Sequence, residues 1–198
     1  MVTDEALDEA AAALRGGGLV VFPTETVYGL AADALDPDAV AAAFDAKRRP
    51  REKPLSFAFP DDEAALEYVE VNETERAFMA EFLPGPVTVV AEKTDEVPDV
   101  LTGGRDRVGV RVPDHEVALA LLERVAPLTA TSANVSGEPS VTHPADLDPD
   151  FRARVDAVLD AGQTPGGTGS TVVDVASGEI LREGANADAV REWLAEHR

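Results

Sequence analysis

The apolar positions change period along the chain, and the changes mark out its elements. Leu7, Ala10, Ala11 and Leu14 recur at helical spacing and predict a helix over 4–15, ended by Gly16-Gly17-Gly18. Residues 19–22 form a short unbroken apolar run, as expected of a strand covered on both faces. Asp36-Pro37 opens a second helix, with an acid at the cap and proline at the first helical position; its Val40, Ala43 and Phe44 face inward. Helices are predicted over 61–68 and 73–82, the latter with Asn72 and Glu75 as a capping pair. Pro113-Asp114 reads as the cap of a helix carrying Val117, Leu119 and Leu122. Asn186 reads as the cap of a last helix that buries Val190, Trp193 and Leu194.

Between these lie apolar runs at 55–59, 87–91, 108–112 and 172–175, which predict strands. A further strand is expected at 155–159, and Ser177-Gly178 suits a hairpin leading into a return strand at 179–182. Residues 94–107 read as a polar loop carrying Arg105 and Arg107, and 141–150 as a loop with a short helix. Strands and helices are mixed without strict alternation, and neither a repeat nor a linker interrupts them. One α/β domain over residues 1–198 is expected, with a mixed, twisted sheet.

Composition narrows the function classes. Hydrophobic residues make up 44%, enough for a real core, but no run of about 18 apolar residues predicts a membrane span. The N-terminus is acidic and amphipathic rather than signal-like, so a cytoplasmic location is expected. There is no cysteine, and the three histidines (115, 143, 197) lack ligand spacing, which argues against a zinc site; no metal-ligating set is assigned. Asp and Glu number 38 against 17 Lys and Arg, a net charge of -21. The acids are spread over positions expected to be exposed, such as Asp4, Glu5, Asp8, Glu9 and Asp61. That surface resembles those of proteins from salt-loving organisms and speaks to solubility, not activity.

Against this background, Lys47-Arg48-Arg49-Pro50-Arg51-Glu52-Lys53-Pro54 stands out, with five cations in seven residues and only Glu52 as a local partner. Like charges this close repel, and an external anion with several charges would relieve them. Pro50 and Pro54 keep the segment out of a helix. A solvated loop with counter-charges elsewhere in space explains the same residues. Arg111, within Val-Gly-Val-Arg-Val, either points outward or meets an anion. The hydroxyls and acid at 23–30 follow a buried strand, where ligands bind in α/β folds, but on this stretch alone an ordinary strand-to-helix turn with Thr caps is the favoured reading. The turn at 132–137 can offer N–H groups and hydroxyls to an anion or be a plain loop. The glycine-rich stretch at 162–169 is followed by a strand and lacks the P-loop lysine, so a P-loop NTPase is not indicated.

PTETVYGL at 23–30, KRRPREKPL at 47–55, PGPVT at 84–88, VGVRVP at 108–113, TSANVSGEPS at 131–140 and STVVDV at 170–175 together resemble the YrdC/YciO family. Six such segments in family order, spanning about 16–184, are highly specific. The resemblance implies a twisted mixed sheet around a deep, positively charged cavity, in a short single-domain form. It implies the activity of the family's threonylcarbamoyl-AMP synthases, which join L-threonine, bicarbonate and ATP, with Mg2+ held mainly by ATP and water. A partner transferase would then carry the threonylcarbamoyl group to tRNA. By the same resemblance Lys47, Arg49, Lys53, Arg107, Ser132, Asn134, Ser140 and Arg182 match positions that contact ATP, with Lys47 and Arg49 closest to the chemistry. Thr26, Arg111, Ala130 and Ser170 match positions that contact threonine. Arg48 and Arg51 lie outside the strict motif. Tyr28 reads as a pocket wall or a core residue, and Glu25 as a cap or an orienter of metal-bound water. One departure stands out: where many relatives carry a histidine that contacts threonine, this chain has Ala58. That admits a nucleotide- or RNA-binding paralogue without threonine-specific synthase activity. An RNA-binding module is the reading from another class, opposed by the low aromatic content and the repulsive net charge.

Overall fold

A computed structural model describes residues 2–197. The first helix, α1 (Asp4–Arg15), forms where the periodicity places it. Thr3 Oγ1 accepts a hydrogen bond from Ala6 N–H, acids fill the first turn and Gly16 ends it. It is followed by β1 (Val20–Phe22) and β2 (Gly29–Ala31), an antiparallel pair. β2 lies inside the stretch read as a turn, because three residues of apolar sequence carry too short a pattern to reveal a strand. Helix α2 (Pro37–Ala46) is capped by Asp36 and ends at Lys47, where the cationic loop begins. The loop leads into β3 (Ser56–Ala58).

The helix expected over 61–68 is a single turn, α3 (Asp62–Ala65), and gives way to the two-residue β4 (Val69–Glu70). Helix α4 (Glu73–Phe82) has the expected capping box between Asn72 and Glu75. β5 (Val87–Lys93) is longer than its apolar run, and the polar loop after it holds one turn of helix, α5 (Asp99–Thr102). β6 (Arg107–Arg111) precedes α6 (Glu116–Arg124). The cap of α6 is His115, not Pro113-Asp114: its Nδ1 accepts from Val117 N–H at 3.2 Å. Next come β7 (Leu128–Ser132), a 3-10 turn at Pro144–Asp146, α7 (Pro149–Arg152) and β8 (Ala157–Val158). The chain closes with the hairpin β9 (Thr171–Asp174) and β10 (Glu179–Arg182), then α8 (Ala187–Glu196). Asn186 occupies the cap position of α8 in a left-handed conformation without a side-chain cap bond.

The strands run in the order β10-β9-β5-β6-β3-β7-β2-β1-β8, with β4 on β5. β5–β9, β3–β6 and β1–β8 are parallel; the other pairs are antiparallel. The sheet is therefore mixed. Strand parity then divides its faces. Phe57, Val87, Val89, Ala91, Val108, Val110 and Val173 are buried in the main core, which also takes Phe44, Phe78 and Trp193 from α2, α4 and α8. A second cluster joins Leu7 and Leu14 of α1 to Leu121 and Leu122 of α6. The alternate strand residues face a hollow. Among the described residues no helix is long and apolar enough to cross a membrane.

Candidate active site

The hollow is a cavity of about 910 Å³. Its floor is made by the alternate residues of five consecutive strands: Ser56 and Ala58; Thr88, Val90 and Glu92; Arg107, Gly109 and Arg111; Ala130 and Ser132; Val172 and Asp174. Most of these are small, which is why the floor is concave. Gly109 matters most. A methyl group there would overlap Ser56 Oγ and stand 2.9 Å from Thr88 Cγ2. The lining carries six basic side chains, Arg49, Lys53, Arg105, Arg107, Arg111 and Arg182, and three acidic ones, Glu92, Asp106 and Asp174.

The basic groups differ in how far they are committed. Among the described residues Arg49, Lys53 and Arg182 have no carboxylate partner. Arg49 donates only to the carbonyls of Lys53 (2.9 Å) and Pro54 (3.0 Å). Arg182 folds back on Ser170, donating to its carbonyl through Nη2 (2.8 Å) and Nε (3.2 Å) and to its hydroxyl at 3.1 Å. Ser170 Oγ in turn lies 2.9 Å from Thr88 Oγ1. Desolvation weakens the hold of Arg49 on its proton, and the charge of Arg182 adds to this; Arg182 is affected in the same way by desolvation and then by Arg111. Cations that depress one another, with no acid between them, are a ready receptor for a polyanion.

Arg111 sits at the other end. Its Nη2 donates to Glu25 Oε1 at 3.0 Å and to Thr26 Oγ1 at 2.8 Å. Both members of the Arg111–Glu25 pair are largely buried, and the contact is one-pronged: Arg111 Nε and Glu25 Oε2 are buried without partners. Glu25 is thus an ion-pair partner rather than a cap. Arg107 is gripped by Asp174 from both guanidinium nitrogens, at 3.0 and 3.1 Å, and donates to Val90 O. A nucleotide would meet Arg107 only in exchange for Asp174.

Of the residues singled out from sequence, Arg49, Lys53, Arg107, Arg111, Ala130, Ser132, Ser140, Ser170 and Arg182 line the cavity. Lys47, Thr26 and Asn134 stand behind its wall. Lys47 is buried at 1% exposure, and its ammonium donates to the carbonyls of Ser132 and Asn134, the latter at 2.8 Å. In this structure the ammonium therefore faces the core side of the wall rather than the open cavity. Lys47 caps α2 on the core side of the loop, and two carbonyls satisfy it there. Burial, and then Arg49, lower its pKa to about 7. Thr26 Oγ1 is spent on Arg111 and Thr24 Oγ1. Asn134 Nδ2 ties the turn together through the carbonyls of Val135 and Glu138. Tyr28 is a core residue whose hydroxyl donates to Gly162 O at 2.6 Å. Arg48 and Arg51 point away, to Asp150 and Asp45; the second is a local pairing that the loop's own sequence conceals.

Ser56, Thr88 and Gly109 were not singled out from sequence. Their signal was strand parity: each alternates with core residues in its strand, so each had to face the other side. Among the described residues no group of three or more His, Asp or Glu side chains could hold a metal ion.

The fold and site define a mixed α/β protein with a concave sheet face on which guanidinium groups gather, Arg49 and Arg182 without carboxylate partners among the described residues. The chain belongs to the Sua5/YciO/YrdC family: residues 12–184 match its model, described under telomere recombination. It is 46% identical over 169 residues to the threonylcarbamoyl-AMP synthase of Pyrococcus abyssi, covering 84% of this chain and 49% of that one. It is 37% identical over 181 residues to a threonylcarbamoyl-AMP synthase of Xanthomonas axonopodis pv. citri, covering 89% of this chain and 97% of that one. The crystal structure of P. abyssi Sua5 complexed with L-threonine superposes with a TM-score of 0.89 at 41% identity, covering 96% of this chain and 57% of that one. The chain thus spans about half the length of the first relative and nearly all of the second.

Proposed function

We propose that this protein is an L-threonylcarbamoyladenylate synthase, a nucleotidyltransferase that makes threonylcarbamoyl-AMP and pyrophosphate from L-threonine, bicarbonate and ATP. The observation that carries the reading is the pairing of two kinds of cation in one cavity. Among the described residues Arg49, Lys53 and Arg182 have no acidic partner and suit a triphosphate, whereas Arg111 is a single, buttressed guanidinium suited to one carboxylate. The relatives named threonylcarbamoyl-AMP synthase, and the threonine complex of P. abyssi Sua5, support it.

The chemistry asks for positioning and charge neutralisation more than for a covalent nucleophile. Threonine nitrogen bonds to the carbon of bicarbonate, releasing one water and one proton overall and leaving a carbamate. A carbamate oxygen then attacks the α-phosphorus of ATP. The bond from that phosphorus to the bridging oxygen breaks, and its electron pair leaves with pyrophosphate. Arg49 and Lys53 would neutralise the departing charge, with Ser132 and Ser140 alongside. Arg111 would hold the threonine carboxylate, with Thr26 and Glu25 fixing its angle from behind and Ala130 and Ser170 bounding the amino acid. Lys47 and Asn134 would act through the 132–138 turn that they brace. Mg2+ enters with the triphosphate as part of the substrate, and Asp174, already bound to Arg107, is not free to cage it. The product would pass to a transferase that modifies tRNA in the cytoplasm.

The test is pyrophosphate release by the purified protein, in concentrated salt, with ATP, bicarbonate and each amino acid in turn. Release that depends on threonine supports the reading. ATP hydrolysis indifferent to threonine, or tight RNA binding without turnover, overturns it.

A further inference from the structure

The triphosphate and the amino acid leave one reactant without a place: the carbonate unit that joins them. Its subsite must lie between the cations that hold the two ends, because its carbon bonds to nitrogen while its oxygen reaches phosphorus. The sheet points to the middle. β5 and β6 pair Val90 with Gly109 and Val89 with Val110, and the residues just beyond, Thr88 and Arg111, both line the cavity. On its other side Thr88 Oγ1 meets Ser170 Oγ at 2.9 Å, and Ser170 Oγ meets Arg182 Nη2 at 3.1 Å. Thr88, Ser170 and Arg182 therefore form one hydrogen-bonded row, and Arg111 lines the same cavity.

The row borders the cavity: Thr88, Ser170 and Arg182 all line it, and Gly109 beside Thr88 keeps the floor low, since a Cβ there would collide with Ser56 Oγ and the Thr88 methyl. Two hydroxyls in mutual contact use one hydrogen between them, and the other remains to be donated. The Arg182 guanidinium, which has no acidic partner among the described residues, supplies positive charge.

We propose that the Thr88–Ser170–Arg182 corner of the cavity is the subsite for the carbonate reactant, a planar oxyanion of one negative charge. The proposal rests on the synthase reading and assigns to Thr88 the role of orienting that oxyanion. The carbamate formed there keeps an oxygen beside Arg182, on the side from which the triphosphate is held.

Thr88→Val removes the hydroxyl while keeping the shape. Pyrophosphate release is measured in degassed buffer with each of the three substrates varied. The KM for bicarbonate rises about tenfold, as expected for loss of a hydrogen bond to a charged group, while those for threonine and ATP stay within about twofold. Nitrate, a planar monoanion that cannot react, competes with bicarbonate in the unaltered protein, and the variant weakens that inhibition by a similar factor. A folded variant with an unchanged bicarbonate KM, an equal rise in all three constants, or nitrate competing with ATP instead overturns the subsite while leaving the synthase reading intact. If thermal melting shows that Thr88→Val does not fold, Ser56→Ala, across Gly109 from Thr88 on the cavity floor, carries the same expectation. Absence of threonine-dependent release by the unaltered protein overturns both.

Discussion

Lys47 Nζ lies 2.8 Å from the carbonyl oxygen of Asn134, on the core side of the cavity wall. Together with its bond to Ser132 O, this contact fastens the end of α2 to the turn after β7. Lys47→Ala is expected to lower turnover roughly tenfold or more, through a loosened Ser132 turn and a raised KM for ATP. Titration separates this from a phosphate contact. The folded pKa of about 7 is below the ordinary 10.5, so between those values the native chain binds fewer protons than the unfolded one. Stability contributed by this group is fully present above the unfolded pKa and is lost as pH falls toward 7. The unaltered protein should therefore gain melting temperature relative to Lys47→Met as pH rises from 7 to 10. Parallel melting curves would show that the lysine keeps its ordinary proton affinity.

The one-pronged Arg111–Glu25 pair predicts a ligand-dependent rescue. Glu25→Ala strips a largely buried guanidinium of its counter-ion and should destabilise the protein by about 2–4 kcal/mol. A substrate carboxylate would replace the lost charge. Threonine should then raise the melting temperature of the variant more than that of the unaltered protein. An equal or smaller shift would mean that the amino acid does not meet Arg111.

Gly109→Ala tests the cavity floor directly. The added carbon collides with Ser56 Oγ and crowds Thr88, so stability should fall by about 1–3 kcal/mol and synthesis should be lost. A calorimetric scan and a pyrophosphate assay check the two parts. Full activity in this variant would show that the floor of the cavity is not used.

A basic hollow inside a molecule of net charge -21 predicts an unusual salt response. At long range the whole protein repels a nucleotide, and only within the cavity does the force change sign. Since the screening length is about 10 Å at 0.1 M salt and about 3 Å at 1 M, added salt removes the repulsion first. The association rate constant for ATP, followed by stopped flow, should rise over that range. A fall would show that the local cations dominate approach.

Much of the fold was legible because its helices and longer strands repeat their pattern several times. α1, α2 and α4 lie at or within a residue of where spacing and caps place them. β2 and β4 were not, since three and two residues cannot display a period. The cap of α6 shows a different limit: a histidine nitrogen can accept a backbone hydrogen as well as an aspartate can, and the sequence ranks the aspartate first. In the site, charge density pointed to the right loop but not to which cations turn inward. Arg51 finds Asp45, Arg48 finds Asp150, and Lys47 finds two carbonyls, and each choice depends on residues that only the fold brings near. Thr88 was hidden for a related reason. A threonine in a strand is ordinary until its partner across 82 residues is known.

The parallel pairing of β5 with β9 has a consequence for how the protein is made. Thr88 emerges from the ribosome long before Ser170 and Arg182, and the floor of the pocket has no far wall until they follow. A nascent chain whose last hairpin is still in the exit tunnel can bury much of its hydrophobic interior yet hold no substrate. Competence to bind should therefore arrive abruptly, once the β9–β10 hairpin has emerged, and any early stop before Arg182 would leave a folded-looking but empty-handed polypeptide.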